Sequence, residues 1–328
     1  MRTRTARSLI LAYGLATSLS AACAPRAESP RLRLLGIVQD GGLPQPACNC
    51  ANCRAARGDL RHKHYVASLA LVIPPSERGR QVYLIDAGPD LREQLQLLDD
   101  LQSSNTPTTN RRPVDGILLT HAHIGHYLGL AWLGFEAVNT QDLPVFASPR
   151  MAAFLRDNGP WSQLVRLRNI DLHEWPAEKP QLLPCQIEVT PVNVPHRDEY
   201  SDTFAFIFRR ADASPVILYM PDCDPWNRWS SPLTALIEKY QVTTAILDGT
   251  FYSPAELPDR DLSTIRHPLI TDTMDLLEPL VRAGRLTVYF THLNHTNPAL
   301  NPSSPESRHI RARGFAIARE GLELPLSQ

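Results

Sequence analysis

A surplus of charge of either sign is missing from this chain of 328 residues: 33 Lys and Arg stand against 34 Asp and Glu, for a formal net charge of -1. That argues against a bulk nucleic-acid binder, which needs a basic excess to neutralise phosphates. Also missing is an apolar run long enough to span a bilayer, which takes about 20 residues. The one apolar stretch, Ser8–Ser18, is shorter and is interrupted by Gly14, Thr17 and Ser18. From Arg31 onward there is no low-complexity linker, internal repeat or heptad seam. Residues 31–328 therefore read as one continuous domain, although a prior of roughly 150 residues per domain would also allow two. With 43% hydrophobic and 20% charged residues, the chain has the composition of a globular protein with a large core.

Residues 1–22 run from a basic head (Arg2, Arg4, Arg7) through that apolar stretch to Ser20, Ala21 and Ala22, directly before Cys23. This is the order of a secretory signal, so export is expected. The small residues before Cys23 resemble the lipobox of bacterial lipoproteins. That resemblance implies lipidation of Cys23 and a periplasmic or membrane-anchored protein; ordinary cleavage at a small residue is the alternative. Residues 23–30, with Pro25 and Pro30, read as a tether.

Short aliphatic or β-branched runs predict strands at Leu32–Val38, Val66–Ile73, Val82–Ile85, Ile117–Thr120, Val145–Ala147, Ile187–Val192, Phe204–Phe208, Val216–Tyr219, Thr244–Leu247 and Leu286–Phe290. Apolar spacings of three and four predict helices at Pro89–Leu101, His126–Val138, Pro149–Asp157, Pro232–Tyr240 and Thr271–Ala283. The pattern is α/β with many strands. The 29 prolines crowd into connections such as Pro298–Pro305, where a missing N–H does no harm.

Two clusters carry chemistry. His121, His123 and His126 follow an apolar strand within six residues, and neutral imidazole is a common ligand for zinc-like metals. Alternate residues of an extended segment point the same way, so His121 and His123 can grip one ion while His126 faces a neighbouring position. Cys48, Cys50 and Cys53 also fall within six residues. Three thiolates can wrap a zinc but need a fourth ligand to close a tetrahedral site, for which His62 and His64 are candidates. Disulfide chemistry is the alternative in an exported chain, but Cys48 and Cys50 are poorly spaced to bridge each other.

Strand, His-x-His-x-x-His, then helix resembles the signature of the metallo-β-lactamase superfamily. Asp86 resembles its structural aspartate, His196 its next metal histidine, Asp222 its bridging aspartate and His292 its last metal histidine. Asp224 rivals Asp222, and Asp248 reads either as a partner of a metal ligand or as a strand-ending turn. The resemblance spans most of residues 32–322 and implies an αββα sandwich, two mixed β-sheets flanked by helices, with metals at one sheet edge. Gly41–Gln45 with the cysteine cluster, and Thr291–Pro298, resemble the pyrroloquinoline quinone biosynthesis protein B (PqqB) family. The related PhnP phosphodiesterases share the three cysteines and close their zinc site with a histidine three residues after the last catalytic one. Here that position is His295, which implies a structural Cys3His zinc.

The pattern breaks at Gly125, where the superfamily carries an aspartate. One tight ion, zinc, manganese or iron, is expected on His121, His123, His196 and Asp222, and at most one weak ion on His126, His292 and the shared Asp222. The resemblance implies a metal-dependent hydrolase of a small-molecule ester, lactone or phosphodiester. In that reading Asp222 orients water, while His126 or His292 stabilises the leaving oxygen or holds the second ion. Asp198, Glu199, Tyr200 and Asp202 read as pocket-shaping residues or as a solvated loop. A PqqB-like oxygenase using a redox metal is the alternative enzyme, and a non-catalytic metal- or ligand-binding envelope protein the alternative outside catalysis.

Overall fold

Side chains alternate between the two faces of each strand, and this sorting builds the molecule. Along residues 204–208, Phe204, Phe206 and Phe208 belong to one buried cluster, while Ala205 and Ile207 belong to another. The computed structural model describes residues 28–76, 79–101, 112–211, 213–258 and 260–326. The expected signal segment, Cys23 and most of the tether lie outside them. No described helix is long and apolar enough to cross a membrane.

The first half of the chain supplies β1 (Arg31–Gly36), β2 (Ser68–Ser76), β3 (Gly79–Ile85), β4 (Gly116–Leu118), β5 (Leu143–Ala147) and β6 (Ile170–Glu174). The second supplies β7 (Gln181–Leu183), β8 (Ile187–Val194), β9 (Thr203–Arg210), β10 (Ala213–Met220), β11 (Thr244–Asp248), β12 (Thr287–Thr291) and β13 (Ala316–Ile317). A last strand, β14 (Glu323–Pro325), returns to pair with β1. Among the described residues these form two seven-stranded sheets, ordered β14-β1-β2-β3-β4-β5-β6 and β13-β12-β11-β10-β9-β8-β7. Leu32, Leu34, Leu69 and Leu71 of one sheet and Phe204, Phe206, Phe208 and Tyr219 of the other fill the space between them. Burial of each such side chain stabilises the fold by about 1.5–3 kcal/mol. Both sheets are mixed: β3 to β6 run parallel, as do β10 to β13, beside antiparallel neighbours.

Helices cover the outer faces, and Met151, Ala152 and Leu155 of Pro149–Asp157 pack on the first sheet with Leu84, Ile117 and Val145. Ile270, Met274 and Leu277 of Ile270–Arg282 do the same on the second with Leu247 and Val288. The layers are helix, sheet, sheet, helix, as expected.

The helix expected over His126–Val138 is largely absent: an α-helical turn at Ile124–Tyr127 passes into a 3-10 segment, Leu128–Leu133. The cause is a close backbone approach. The Gly129 N–H donates to Ala87 O (2.8 Å), and a Cβ at Gly129 would stand 2.1 Å from Gly88 O. The spacing also missed Pro305–Ala312, a helix capped by the Ser304 side chain with proline in its first turn.

Candidate metal centre

The site forms where the parallel strands end. Asp86 directly follows β3, His121 to His126 follow β4, and His196 lies two residues past β8. Asp222 lies two residues past β10, Asp248 closes β11 and His292 directly follows β12. Asp86 and His292 hold left-handed backbones (φ 67° and 60°), a conformation uncommon outside glycine.

His121, His126 and His292 are each held through Nδ1 and His123 through Nε2, and each presents its other nitrogen. Thr120 Oγ1 donates to Asp86 (Oδ2 2.9 Å) and lies 3.0 Å from His121 Nδ1. Asp86 Oδ2 accepts from His126 Nδ1 at 2.7 Å, with both side chains fully buried. His292 Nδ1 lies 3.0 Å from Thr250 Oγ1. That leaves Nε2 of His126 and of His292 buried without a hydrogen-bond partner, as are both ring nitrogens of His196 and Oδ1 of Asp222. Buried polar atoms ordinarily find partners, so a ring of unpartnered ones around one point fits a bound cation.

The distances agree. A tetrahedron with metal–ligand bonds of ~2.0–2.1 Å has ligand–ligand edges of about 3.3 Å. Around the first position, His121 Nε2 lies 2.8 Å from His123 Nδ1 and 3.2 Å from Asp222 Oδ2. His123 Nδ1 lies 3.7 Å from that oxygen, and His196 Nε2 is 3.1 Å from Asp222 Oδ1. At the second position, Asp222 Oδ2 is 3.8 Å from both His126 Nε2 and His292 Nε2.

Asp222 faces the ring of histidines, whereas Asp224 approaches His196 from its other side, 3.6 Å from Nδ1. Burial would raise the pKa of Asp222, but the rings of His196, His267 and His292 hold it well below the usual carboxylate range. Conversely, burial would discharge His196, yet Asp222 holds its pKa up at about 9. Asp224 instead takes a two-pronged ion pair from Arg266 (2.8 and 2.6 Å). Glu199 accepts from His123 Nε2 at 3.1 Å, so at least this residue of the acidic loop braces a ligand.

The cysteine cluster closes as the resemblance implied. His295 Nδ1 stands 3.3, 3.5 and 3.6 Å from the sulfurs of Cys48, Cys50 and Cys53; a tetrahedral zinc with Zn–S of ~2.3 Å and Zn–N of ~2.0–2.1 Å requires about 3.6 Å. His64 is engaged by Glu320 (2.9 Å) and His62 lies in the exposed stretch around Leu60, so neither competes. The described cysteines form no disulfide. Burial pushes the Cys53 thiol up to about 12, so zinc must displace a proton there. Asn52 clamps the junction by donating to the carbonyls of His295 and Asn297 (3.0 Å each).

Two residues escaped the sequence reading. His267 Nδ1 sits 3.1 Å from Asp222 Oδ1 and 2.9 Å from Asp248 Oδ2. Burial would lower its pKa, but Asp248 and Asp222 raise it to about 10. Asp40 approaches His126 Nε2 to 3.8 Å. Neither belongs to a local motif; the signal for Asp40 was the gap at Gly125, which demands an acid from elsewhere.

A cavity of about 330 Å³ opens beside His267, lined by Gln39, Gln45, Arg197, Arg260, Arg266 and Asn294 among others. His126 and His292 are fully buried and do not line it. A larger cleft, about 780 Å³, includes Thr244 and Thr287 at the starts of β11 and β12, the end of the sheet opposite the histidines.

Residues 81–293 match the family described as Beta-lactamase superfamily domain. Coenzyme PQQ synthesis protein B of Azotobacter vinelandii is 27% identical over 315 residues, covering 90% of this chain and 99% of that protein. The protein of that name from Methylorubrum extorquens strain PA1 is 28% identical over 312 residues, covering 89% and 99%. Among solved structures, zinc-bound PqqB from Methylobacterium extorquens superposes with a TM-score of 0.73 at 22% identity, over 90% of this chain and all of that one. A diphosphatase of the PhnP family gives 0.61 at 21% identity, over 90% and 97%. At these identities the structural matches speak to the fold alone.

Proposed function

This chain belongs to the β-lactamase superfamily, and we propose that it is a metal-dependent hydrolase of a negatively charged ester, a phosphodiester in preference to a neutral ester or lactone. The observation that carries this reading is the cavity beside His267, whose lining includes three arginines, Arg197, Arg260 and Arg266. Guanidinium is the side chain best matched to phosphate oxygens; Asp224 already neutralises Arg266 and Glu199 lies 3.8 Å from Arg197, so Arg260 is the cation that a neutral lactone would leave without a counter-charge among the described residues. The donor set fits zinc, manganese or iron, and a bound ion of this kind acidifies water and polarises the ester oxygen.

The chain's own groups divide the remaining work. Arg260 and Arg197 hold the anion, while Arg266 is also fixed by Asp224. His267 lines the cavity with its Nδ1 held by Asp222 and Asp248, which leaves Nε2 as the nitrogen that would deliver a proton to a departing oxygen. His126 and His292, being fully buried, hold an ion instead.

The test is a substrate panel of bis(p-nitrophenyl) phosphate, p-nitrophenyl acetate and a homoserine lactone. The phosphodiester should turn over fastest, and Arg260→Gln should raise its KM with little change in kcat. His267→Gln should lower kcat by ~10²–10⁴, the usual contribution of a positioned acid or base, at constant KM. A neutral ester cleaved as fast as the diester, or rates unchanged in His121→Ala and His123→Ala, would sink the reading. The similarity to PQQ synthesis proteins favours a second one, an oxygen-dependent hydroxylation at an iron centre. It requires oxygen consumption by the iron-loaded protein and loss of activity on exchange for zinc.

A further inference from the structure

The sequence leaves the second cation position short of an acid, because Gly125 stands where an aspartate is expected. A Cβ built on Gly125 would fall 2.1 Å from Asp40 Oδ1 and 3.0 Å from its Cγ. The carboxylate of Asp40 therefore fills the volume that a side chain at position 125 would occupy. It enters from a loop 85 residues away in sequence and accepts a hydrogen bond from the Gly125 N–H at 3.2 Å.

The loop is fixed rather than adventitious. Val38 bridges to both Val66 and Leu293, the Gln39 N–H donates to Leu293 O (3.0 Å), and the Gly42 N–H turns back to Gln39 O (2.8 Å). Leu293 is the neighbour of His292, so the same backbone contact that holds Asp40 also holds a ligand.

Two buried atoms without hydrogen-bond partners, His126 Nε2 and His292 Nε2, face this carboxylate. Together with Asp40 they present three ligand atoms within 4.8 Å of one another. Asp222 Oδ2 adds a fourth at 3.8 Å from each histidine nitrogen.

We propose that Asp40 supplies in trans-loop fashion the acid missing at Gly125, completing a second divalent-cation site with His126, His292 and the shared Asp222. Two nitrogens and two carboxylate oxygens suit zinc, manganese or iron. The site is then as fully furnished as the first, and the second ion binds tightly rather than marginally. The proposal holds whichever reaction the centre performs.

The experiment is an element count on the purified full chain equilibrated with zinc and freed of unbound metal, paired with electron paramagnetic resonance after manganese loading. The wild-type chain should hold three zinc ions, one on the cysteines and two at the histidine centre. Manganese should give the spectrum of an exchange-coupled pair, since bridged ions sit about 3.5–4 Å apart.

Asp40→Ala should hold two zinc ions and show uncoupled manganese. Its second-site affinity should fall by at least the ~10–100-fold that loss of an outer partner of a ligand costs. Asp40→Asn keeps an acceptor for the Gly125 N–H, so it should fold as the wild type and still lose the ion. Retention of the cysteine-bound zinc reports that each variant is folded. Asp40→Gly combined with Gly125→Asp returns the acid to the helix turn. It should recover the coupled pair once the loop yields slightly, since a Cβ at 125 lies 2.9 Å from the Cα of residue 40. A wild-type chain holding two zinc ions, or Asp40→Ala retaining three and a coupled spectrum, would overturn the proposal.

Discussion

Replacing Asp86 with asparagine isolates what a buried carboxylate does for a metal ligand it does not itself join. Asp86 is fully buried and its oxygens take the Thr120 N–H (2.8 Å), the Thr120 hydroxyl and His126 Nδ1 (2.7 Å). Asparagine has the same shape and tolerates the left-handed backbone at this position (φ 67°), so the change removes charge without adding strain. Two effects follow. The single amide oxygen cannot accept from both the Thr120 N–H and the His126 Nδ1–H, so one of these charge-assisted hydrogen bonds, worth about 1.5–3 kcal/mol, is lost. The imidazole also becomes a weaker donor at Nε2, and loss of such a partner ordinarily costs ~10–100-fold in metal affinity. Zinc titration against a competing chelator reads the second effect directly, and thermal unfolding of the zinc-free histidine centre reads the first. The ion held by His126 should bind more weakly, with the cysteine zinc untouched. An unchanged zinc affinity in Asp86→Asn, beside a clear loss in His126→Ala, would show that Asp86 serves the backbone turn alone.

Cys53→Ser should remove one zinc per chain and lower the thermal midpoint, because the sulfur is fully buried and binding energy at such a site becomes folding energy. Since His295 lies three residues beyond His292, the same change should loosen the last histidine and reduce activity; an unchanged zinc count and midpoint would exclude the site. Glu278 offers a pH prediction away from the metals. Arg313 and Arg282 bond its carboxyl and depress its pKa from the ordinary 4.5 to about 2. A depressed folded value means the stabilisation is present above pH ~4.5, where the unfolded chain is already ionised, and is lost as pH falls through about 2. Denaturant titration of Glu278→Gln should accordingly show reduced stability at neutral pH and convergence with the wild type below pH ~2; a constant difference across that range would contradict it.

The sequence carried the parts of the site that lie next to each other along the chain. His121, His123 and His126 share one strand end, and Cys48, Cys50 and Cys53 one loop, so spacing alone exposed both clusters. His196, Asp222 and His292 each follow a strand, and the resemblance to the metallo-β-lactamase pattern placed them. Asp40 and His267 had no such marker. Asp40 reaches the centre because Val38 pairs with Leu293, a contact between chain ends that no local pattern reveals. His267 sits on a loop held by contacts distant in sequence, its own with Asp222 and Asp248 and that of Arg266 with Asp224, which no local pattern reveals. For the fold, strands with alternating burial were readable, but β6 buries only Ile170 of its five residues fully and so offered no alternation. The 3-10 segment after His126 was shaped by the backbone of residues 87 and 88, which the apolar spacing of Leu128–Leu133 does not encode.

What these placements share is that neither sheet owns the centre. The first sheet contributes His121, His123 and His126 through β4, and the second contributes His196, Asp222 and His292 through β8, β10 and β12. Asp222 touches ligands from both, lying 3.2 Å from His121 and 3.1 Å from His196. Without an ion, Asp222 and the inward-facing nitrogens of several buried imidazoles would have little but one another as partners, which is costly in a low-dielectric interior. Each ion that binds the folded form alone adds about 2.7 kcal/mol at a concentration of ~100 times its Kd. Because its ligands come from both halves, that energy acts across the interface between the sheets rather than within one of them. The same interface holds the phenylalanine layer of Phe204, Phe206 and Phe208, so metal binding and apolar packing stabilise the same contact between the sheets.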